Sequence, residues 1–528
     1  MKRRQFVTTA TIGTLCLPAS VRAQKQTTLN FIPQIDLTFL DPHFTPANVT
    51  RNHGFMVYDT LFGVDANGQV SPQMAEGHVV EEGGRLWRIT LRDGLFFHDG
   101  SKVLARDCVA SIKRWAKRDA FGEMLSAATD EIAAPDDRTI VFRLKKPFPL
   151  LAFALGKSAS PMCGIMPERL AATDAFKQVT DITGSGPFRF KADERVQGAR
   201  NVYEKFARYV PRSGGVPTWT AGPKLVHFDR VVWTTVPDNS TKANAMLAGE
   251  HDWWENPSHD LLGLLRKNNR LRLQVLDPTG SMQMMRPNHL QAPFSKPGVR
   301  RALLHAFDQK SFVDAIVGDE TEYARIGDGA FPAGGPMASN AGLEPLSGTR
   351  DLAKVREMVK AAGYAGEKVV LIVPTDYITM KTTADIAADT MRRVGMDVDY
   401  VATDWGQMLT RRNNRGPVEQ GGWSCFTTSW TGNDVATPAG HPALRGNGDQ
   451  PSAWPGWYTG AEMERLRLAW FEAPDVAAQQ KVCAEIQVVA MRDVPFWPLG
   501  TVVGPTVYRS DISGVVEGFA AFWGVARA

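Results

Sequence analysis

Hydrophobic and polar positions repeat with two different periods along this chain, which predicts a mixture of strands and helices. In the first third, residues 86–91 alternate apolar and polar side chains, as a half-buried strand does. Residues 104–116 repeat apolar side chains every three or four positions, which places Cys108 and Ile112 on one face of a helix. A further strand is expected over residues 139–144.

The second half of the chain has a regular order of elements. From residue 369 the pattern predicts a strand (369–373), a helix (382–394), a strand (398–402), a short helix and a strand near 423–428. Strand–helix–strand units of this kind form parallel sheets with right-handed crossovers. Ligands of such sheets bind beyond the carboxyl ends of the strands, so the sequence predicts a binding site at that edge.

Aromatic and charged residues at these strand ends are candidate binding groups. Trp405 and Trp430 carry flat apolar faces of the kind that line organic-ligand clefts, although core packing is the alternative for any tryptophan. Asp404 and Asp434 either pair with a ligand ammonium or guanidinium group, or cap a helix or face solvent. Arg286 either meets a ligand carboxylate or forms an ordinary salt bridge.

The charge distribution indicates an exported protein. Residues 1–23 contain four basic residues and no acidic one, and the stretch from Phe6 to Val21 is uncharged, which is typical of a signal peptide cleaved before Gln24. The run Arg3-Arg4-Gln5-Phe6-Val7 resembles a twin-arginine signal, with general secretion as the alternative. The rest of the chain has 56 basic and 56 acidic residues, so its neutral charge gives no support for nucleic-acid binding.

The motif search favours binding over catalysis. The sequence contains no HExxH, GxSxG, Walker-type or GxGxxG motif and no close His/Cys cluster, so we expect a protein that is not an enzyme and needs no metal or cofactor. Beyond residue 23 there are four widely spaced cysteines, which either form a disulfide or remain buried thiols: Cys108, Cys163, Cys425 and Cys483.

Five short blocks, in the correct order, carry a family resemblance. With them the chain resembles the extracytoplasmic solute-binding proteins of ABC transporters, in the dipeptide/oligopeptide-binding family (family 5). The blocks are Val57-Tyr58-Asp59-Thr60-Leu61, Leu91-Arg92-Asp93-Gly94 with Phe97-His98-Asp99-Gly100, Gly184-Ser185-Gly186-Pro187-Phe188, Leu247-Ala248-Gly249-Glu250-His251-Asp252, and the segment from Pro293 to Ala306.

The resemblance implies a two-lobed α/β fold with three domains, mixed sheets flanked by helices and a ligand cleft between the lobes. It divides the chain into domain I (24–55, 186–284 and 495–528), domain II (56–185) and domain III (285–494). It also implies a monomeric periplasmic protein of a Gram-negative cell. The protein is expected to bind a short peptide or small organic solute and to deliver it unchanged to membrane permease subunits. A periplasmic enzyme, or a chaperone or sensory module on the same scaffold, is the alternative.

One departure from the family pattern concerns the ligand. Peptide binders of this family commonly carry W-x-G-D-N-G-D-P, whose later aspartate meets the free amine of the peptide. Here the run is Trp430-Thr431-Gly432-Asn433-Asp434-Val435-Ala436-Thr437-Pro438, without an aspartate before the proline. Either Asp434 substitutes for it or the ligand lacks a free α-amine. The predicted ligand-binding residues are Trp430, Gly432, Asn433, Asp434, Trp405, Trp423, Arg286 and Met284.

Overall fold

The computed structural model describes residues 27–473 and 475–528, so the predicted export signal (1–23) lies outside the described residues. The strands are β1 (Thr28–Ile32), β2 (Phe62–Val64), β3 (Val70–Pro72), β4 (Ala75–Glu81), β5 (Leu86–Leu91), β6 (Thr129–Ala133), β7 (Thr139–Leu144), β8 (Phe188–Phe190), β9 (Arg200–Lys205), β10 (Arg230–Thr234), β11 (Trp253–Trp254), β12 (Leu271–Gln274), β13 (Ser281–Pro287), β14 (Ala324–Arg325), β15 (Val369–Pro374), β16 (Val398–Thr403), β17 (Cys425–Thr431), β18 (Trp497–Val502), β19 (Thr506–Arg509), β20 (Ile512–Ser513) and β21 (Ala526–Arg527).

Fourteen α-helices are present in the described part of the chain. They are α1 (Asn48–Val57), α2 (Ala105–Trp115), α3 (Ala120–Ala128), α4 (Leu151–Gly156), α5 (Glu168–Ala171), α6 (Asn239–Ala248), α7 (Leu262–Arg266), α8 (Pro297–Leu304), α9 (Gln309–Val317), α10 (Leu352–Ala361), α11 (Ile378–Arg393), α12 (Trp405–Arg411), α13 (Ala461–Glu472) and α14 (Val476–Asp493).

Local sequence signals explain where several of these elements begin and end. The Asp238 side chain accepts a hydrogen bond from the Thr241 N–H and caps the start of α6. The same helix ends at Gly249, whose φ of 78° lies in the left-handed region that favours glycine. Strand β15 is apolar and buried at every position, as expected for a parallel strand covered on both faces.

The first lobe contains a seven-stranded sheet and a four-stranded sheet. The larger sheet has the order β12-β19-β11-β1-β10-β9-β8, and its central strand β1 runs parallel to β10 and β11. Its strands therefore come from three separate parts of the chain. The smaller sheet, β4-β5-β7-β6, is antiparallel and is joined to the larger one by buried contacts such as the Arg114–Asp41 ion pair (2.7 Å).

The second lobe contains a six-stranded sheet with the order β14-β18-β13-β17-β15-β16. Strand β15 pairs in parallel with both β16 and β17, which confirms the parallel sheet predicted from the strand–helix–strand pattern. The other pairings, β13 with β17 and β18 and β14 with β18, are antiparallel. Two of the predicted domain boundaries, 284/285 and 494/495, do not match these pairings, because β13 spans the first and β18 lies beyond the second. Sheet membership puts the two crossings between the lobes before Ser281 and after Val502.

The cysteines and the length of the helices are the remaining features of the fold. All four cysteines of the described residues are free and buried, so the thiol alternative holds rather than the disulfide. The pKa values of these thiols are raised by burial. Within residues 27–473 and 475–528, no helix is both long enough and apolar enough to cross a bilayer.

Candidate ligand-binding cleft

A large cavity lies where the two lobes face each other. Its volume is about 680 Å³, which is within the range of small-molecule binding sites. The first lobe contributes Gln34, Arg51 and Glu255 among others, and the second lobe contributes Gln283 and Tyr377. Because both lobes supply walls, the cavity opens or closes with their relative movement.

The carboxyl end of the parallel sheet reaches this cavity. Thr375, Asp376 and Tyr377 follow β15 directly and line the wall of the second lobe. The Tyr377 hydroxyl donates a hydrogen bond of 2.8 Å to Oε1 of Gln34 in the first lobe. The edge of the sheet that the sequence singles out therefore faces the space between the lobes.

Two of the predicted tryptophans surround a smaller chamber beside the main cavity. This chamber has a volume of about 30 Å³ and is lined by Trp405, Trp430 and Arg412, and it shares Gln34 and Tyr377 with the main cavity. The indole N–H groups of both tryptophans and Nε of Arg412 have no hydrogen-bond partner among the described residues. Burial and the neighbouring Arg118 lower the pKa of Arg412 to about 10. The chamber thus presents unsatisfied donors.

The turn after β17 holds three further predicted residues. A Cβ at Gly432 would come within 2.4 Å of the carbonyl oxygen of Thr279, so this close approach requires glycine. The Asn433 side chain donates a hydrogen bond of 3.1 Å to the Ser158 hydroxyl in the first lobe. Asp434 is buried, and neither of its carboxylate oxygens has a partner among the described residues. Burial raises the pKa of Asp434.

Asp404 takes the capping role that the sequence leaves open. It is the N-cap of α12, and its Oδ1 accepts a hydrogen bond of 2.8 Å from the Gln407 N–H. Asp434 takes neither the capping nor the solvent-exposed role, because it is 2% exposed and caps no helix. The two aspartates therefore differ, and only Asp434 remains a candidate partner for a ligand cation.

Of the eight predicted binding residues, only Trp405 and Trp430 line a cavity. Gly432, Asn433 and Asp434 lie in the turn after β17 and line neither cavity, and the remaining three lie in the core of the second lobe. Arg286 donates hydrogen bonds to the backbone carbonyls of Pro455, Ala443 and Pro495 (3.1, 2.9 and 2.7 Å), so it forms neither the expected carboxylate contact nor a salt bridge. Met284 is fully buried in β13.

Trp423 is the third of these core residues. It precedes β17, is completely buried and donates its indole N–H to the carbonyl of Arg412 at 3.0 Å. Its ring packs against Phe426 and Trp457. This is the core-packing alternative for a tryptophan.

Three charged residues around the main cavity have no signal in the sequence. Arg51 lies in α1, Glu255 follows β11, and Asp277 lies in the segment that joins the two lobes. They are brought together only by the tertiary fold, because 204 positions separate the first two in the chain. Neither a motif nor a periodic pattern marks them, so reading the sequence by periodicity misses them.

Burial shifts the titration of two of these carboxylates. Glu255 accepts hydrogen bonds from the Asn52 amide (2.6 Å) and the Gln34 N–H (2.8 Å), and burial raises its pKa. Burial also raises the pKa of Asp277 to about 6, against the opposing effect of Thr279 and Arg51. No group of three or more His, Cys, Asp or Glu side chains in the described part of the chain is arranged to hold a metal ion.

Two lobes built on separate sheets, with a ligand-sized cavity between them, define a solute-binding protein. The comparison with protein families gives the same class, since the model described as "Bacterial extracellular solute-binding proteins, family 5 Middle" matches residues 69–451. The chain belongs to this family. The predicted family, the two-lobed α/β fold class and the role of a solute-binding protein in ABC transport are confirmed.

Curated relatives cover the chain almost completely. The probable peptide ABC transporter periplasmic-binding protein y4tO of Sinorhizobium fredii is 33% identical over 520 residues, which are 97% of each chain. The glutathione-binding protein GsiB of Salmonella typhi is 25% identical over 98% of this chain and 97% of its own.

Solved structures share the fold at lower identity. DppA from Helicobacter pylori, in complex with the peptide STSA, is 20% identical with a TM-score of 0.79 over 96% of this chain and 100% of its own. The PBP AgaA from A. tumefacien R10, in complex with agropinic acid, is 21% identical with a TM-score of 0.77 over 95% of this chain and 99% of its own. At these identities the likeness supports the fold alone.

Proposed function

We propose that this protein captures a short peptide or another small organic solute in the cavity between its lobes and delivers it unchanged to the permease of an ABC transporter. We place it in the periplasm of a Gram-negative cell and expect it to act as a monomer that is not an enzyme. The observation that carries the proposal is the 680 Å³ cavity with walls from both lobes. A cavity of this size encloses a small solute rather than a macromolecule.

Contacts between the lobes support capture by closure. Asn433 and Ser158 bond across the gap, and an ion pair joins Arg445 of the second lobe to Glu123 of the first. A ligand that touches both walls adds contacts that exist only when the lobes are together, and it therefore shifts the equilibrium toward the closed state. Opening reverses the process and releases the solute with its bonds intact.

We assign specific roles to the predicted residues that reach the interface of the lobes. Asp434 receives an ammonium or guanidinium group of the ligand, since its buried carboxylate lacks any hydrogen-bond partner of its own. Trp405 and Trp430 cover an apolar or planar part of the ligand with their rings. Gly432 and Asn433 hold the turn that positions Asp434.

A short peptide is the favoured ligand class. The name of the Sinorhizobium relative refers to peptide transport, and GsiB is named for glutathione, itself a modified tripeptide. The AgaA complex contains agropinic acid instead, so a non-peptide solute is the second candidate. Because no aspartate directly precedes Pro438, the experiment also tests this second candidate.

The test is identification of the solute that the protein itself retains. Protein purified without denaturation is unfolded, and the released small molecules are identified by mass spectrometry. Each identified solute is then added back in a thermal unfolding assay, where a concentration of one hundred times Kd stabilises the fold by about 2.7 kcal/mol. Recovery of the solute unchanged after incubation supports transport. Chemical conversion of the solute, or no stabilisation by any peptide or organic solute, overturns the proposal.

A further inference from the structure

The main cavity is rich in carboxylates and poor in cations. Five acidic side chains and two basic ones line it. The acidic side chains are Asp238, Glu255, Asp260, Asp277 and Asp376, and the basic ones are Arg51 and Lys242. Asp434 adds a sixth carboxylate close by, since its charge acts on Asp277. The imbalance is a property of this cavity, because the chain beyond residue 23 is neutral.

The three inner carboxylates have no cationic hydrogen-bond partner. Glu255 accepts from an amide and a backbone N–H, both neutral. Asp277 accepts from the N–H and the hydroxyl of Thr279, and both reach the same oxygen, Oδ1 (2.9 and 2.6 Å). Asp434 accepts from no described residue. We call these three residues the carboxylate cluster.

The charge of one arginine, Arg51, acts on all three members of the carboxylate cluster. The positive charge of Arg51 lowers the pKa of all three members, which places it within electrostatic reach of each. Its own hydrogen bonds go to the neutral Oδ1 of Asn52 (3.3 and 3.2 Å), and its guanidinium lies over the Phe519 ring. Lys157 acts in addition on Asp434, but when all three carboxylates are ionised the cluster still carries more negative than positive charge, and a ligand cation would offset the excess.

Neutral side chains of the same cavity show a second, independent deficit of donors. Asn48 and Gln283 line the cavity, and their amide oxygens, Oδ1 and Oε1, are buried and have no hydrogen-bond partner among the described residues. Gln283 is 2% exposed, so bulk water does not satisfy it. These unpaired acceptors belong to a cavity whose charged side chains are mostly carboxylates. A ligand with several N–H groups would supply the donors that these acceptors lack.

We propose that the solute carried by this protein has a net positive charge, with ammonium or guanidinium groups that the carboxylate cluster and the Gln283 amide receive. This inference rests on the proposed function and names the class of solute that the cavity selects. A peptide with lysine or arginine side chains meets the requirement, and so does a diamine. An acidic solute places its charge against the cluster and is rejected.

The charge preference depends on pH in a defined direction. Asp277 has a pKa raised to about 6, so its carboxylate is neutral in the ligand-free protein below that pH and ionised above it. A cation binds the ionised form, and its affinity therefore rises as pH increases through 6. A neutral solute has no such dependence.

The other titratable groups around Asp277 do not reverse this direction. The pKa of Glu255, Asp376 and Asp434 is raised as well, and burial lowers the pKa of His259, which favours its neutral form. The pKa of Lys242 is lowered to about 8, so this side chain remains mostly charged up to pH 7.5. Each acidic neighbour adds to the rise in affinity.

The experiment measures Kd by calorimetry for two series of matched solutes. The tripeptides Lys-Ala-Lys, Ala-Ala-Ala and Glu-Ala-Glu form one series, and spermidine with succinate forms the other, each at pH 5.0 and pH 7.5. We expect the cationic member of a series to bind at least tenfold more tightly than the neutral or acidic member at pH 7.5. The preference is expected to shrink severalfold at pH 5.0.

The outcomes separate the charge preference from the peptide hypothesis. Equal binding of the three tripeptides, or tighter binding of the acidic one, overturns the charge preference and leaves peptide capture standing. Binding of spermidine without any tripeptide overturns the peptide ligand and supports the charge preference. Absence of binding in both series overturns the charge preference, and the retained solute then decides the proposed function.

A charge-removing variant links the preference to the cluster. Asp277→Asn keeps the shape of the side chain and the Thr279 contacts at Oδ1, and we expect about tenfold weaker binding of Lys-Ala-Lys, with Ala-Ala-Ala unchanged. Asp399→Asn removes an exposed carboxylate from the edge strand β16 and serves as the control, with no effect on either peptide. An unchanged ratio between the two peptides in Asp277→Asn contradicts the assignment.

Discussion

Buried charges in the wall of the first lobe have charged partners, whereas the charges around the cavity do not. In the wall, three ion pairs are almost completely buried and have nitrogen–oxygen distances of 2.7–2.9 Å. They are Arg114–Asp41, Lys157–Asp119 and Lys224–Asp59. Around the cavity, the side chains of Arg51, Glu255 and Asp277 bond only to neutral groups, and the carboxylate of Asp434 close by has no hydrogen-bond partner among the described residues. The same chain therefore pairs the charges it needs for folding and leaves unpaired those that face the cavity.

This difference gives a rule for separating framework from binding groups in this protein. A charge with its opposite at hydrogen-bond distance is satisfied before any ligand arrives, and removing one partner strands the other. A charge without such a partner is satisfied only when a ligand arrives. Arg286 follows the framework rule although its partners are carbonyls, because all of its contacts are made within the second lobe.

The largest effect is expected when a framework pair is broken. Lys224→Met leaves the carboxylate of Asp59 buried, with only the Tyr209 hydroxyl and the backbone N–H of Thr60 as partners. The uncompensated carboxylate should lower the free energy of unfolding by about 3–5 kcal/mol. Urea denaturation followed by tryptophan fluorescence measures the change.

An exposed lysine of the same lobe is the control for that variant. Lys205→Met removes a surface lysine whose Nζ donates only to the carbonyl of Val226, and it should change the free energy of unfolding by less than about 0.5 kcal/mol. Equal effects of the two substitutions would show that burial of the pair contributes nothing to stability.

The second-largest effect on stability is expected for Arg286, which the sequence predicts to be a ligand-binding residue. Arg286→Met removes the donors to three buried carbonyls and should cost about 2–3 kcal/mol of unfolding free energy. Binding of Lys-Ala-Lys by the folded fraction should remain within twofold of the parent protein, as measured by calorimetry at 15 °C. A tenfold loss of affinity without loss of stability would return Arg286 to the ligand site.

The sequence predicts the second lobe better than the cavity because its signals are local. Apolar runs and alternation locate β15, β16 and β5 almost to the residue, since periods of 2 and 3.6 report which faces are buried. Boundaries between lobes are less visible. Strand β18 is buried throughout and its sequence fits either sheet, so only its pairing with β13 assigns it to the second lobe.

The binding residues divide along the same line. Trp405, Trp430 and Asp434 were accessible to sequence reasoning because they lie at or just beyond strand ends that could be inferred, and the fold places the two tryptophans around the smaller chamber. Arg51 and Glu255 were not accessible, because their role depends on contacts across some 200 residues of chain. Burial of a charge without a partner is a tertiary property, and no local pattern encodes it.

The third effect is on affinity rather than stability. Asp434→Asn removes the one carboxylate of the cluster that has no hydrogen bond of its own. We expect about tenfold weaker binding of Lys-Ala-Lys, which corresponds to about 1.4 kcal/mol. The free energy of unfolding should stay constant or rise, because an unpaired buried charge is removed. Loss of stability equal to that of Lys224→Met would place Asp434 in the framework.

The smallest effect tests whether contacts between the lobes, away from the cavity, contribute to capture. Arg445 is buried and pairs with Glu123 across the gap, whereas the neighbouring cross-lobe pair Lys146–Glu472 is more than half exposed on both sides. Glu123→Gln should weaken ligand binding two- to fivefold, or about 0.5–1 kcal/mol, because this contact is lost when the lobes separate. Lys146→Met should change Kd less than twofold, since water screens its pair. Calorimetry with Lys-Ala-Lys at constant ionic strength measures both values. Equal effects of the two substitutions would mean that the closed state is stabilised by contacts in the cavity alone. The contrast between paired framework charges and unpaired cavity charges would then explain closure as well as selectivity.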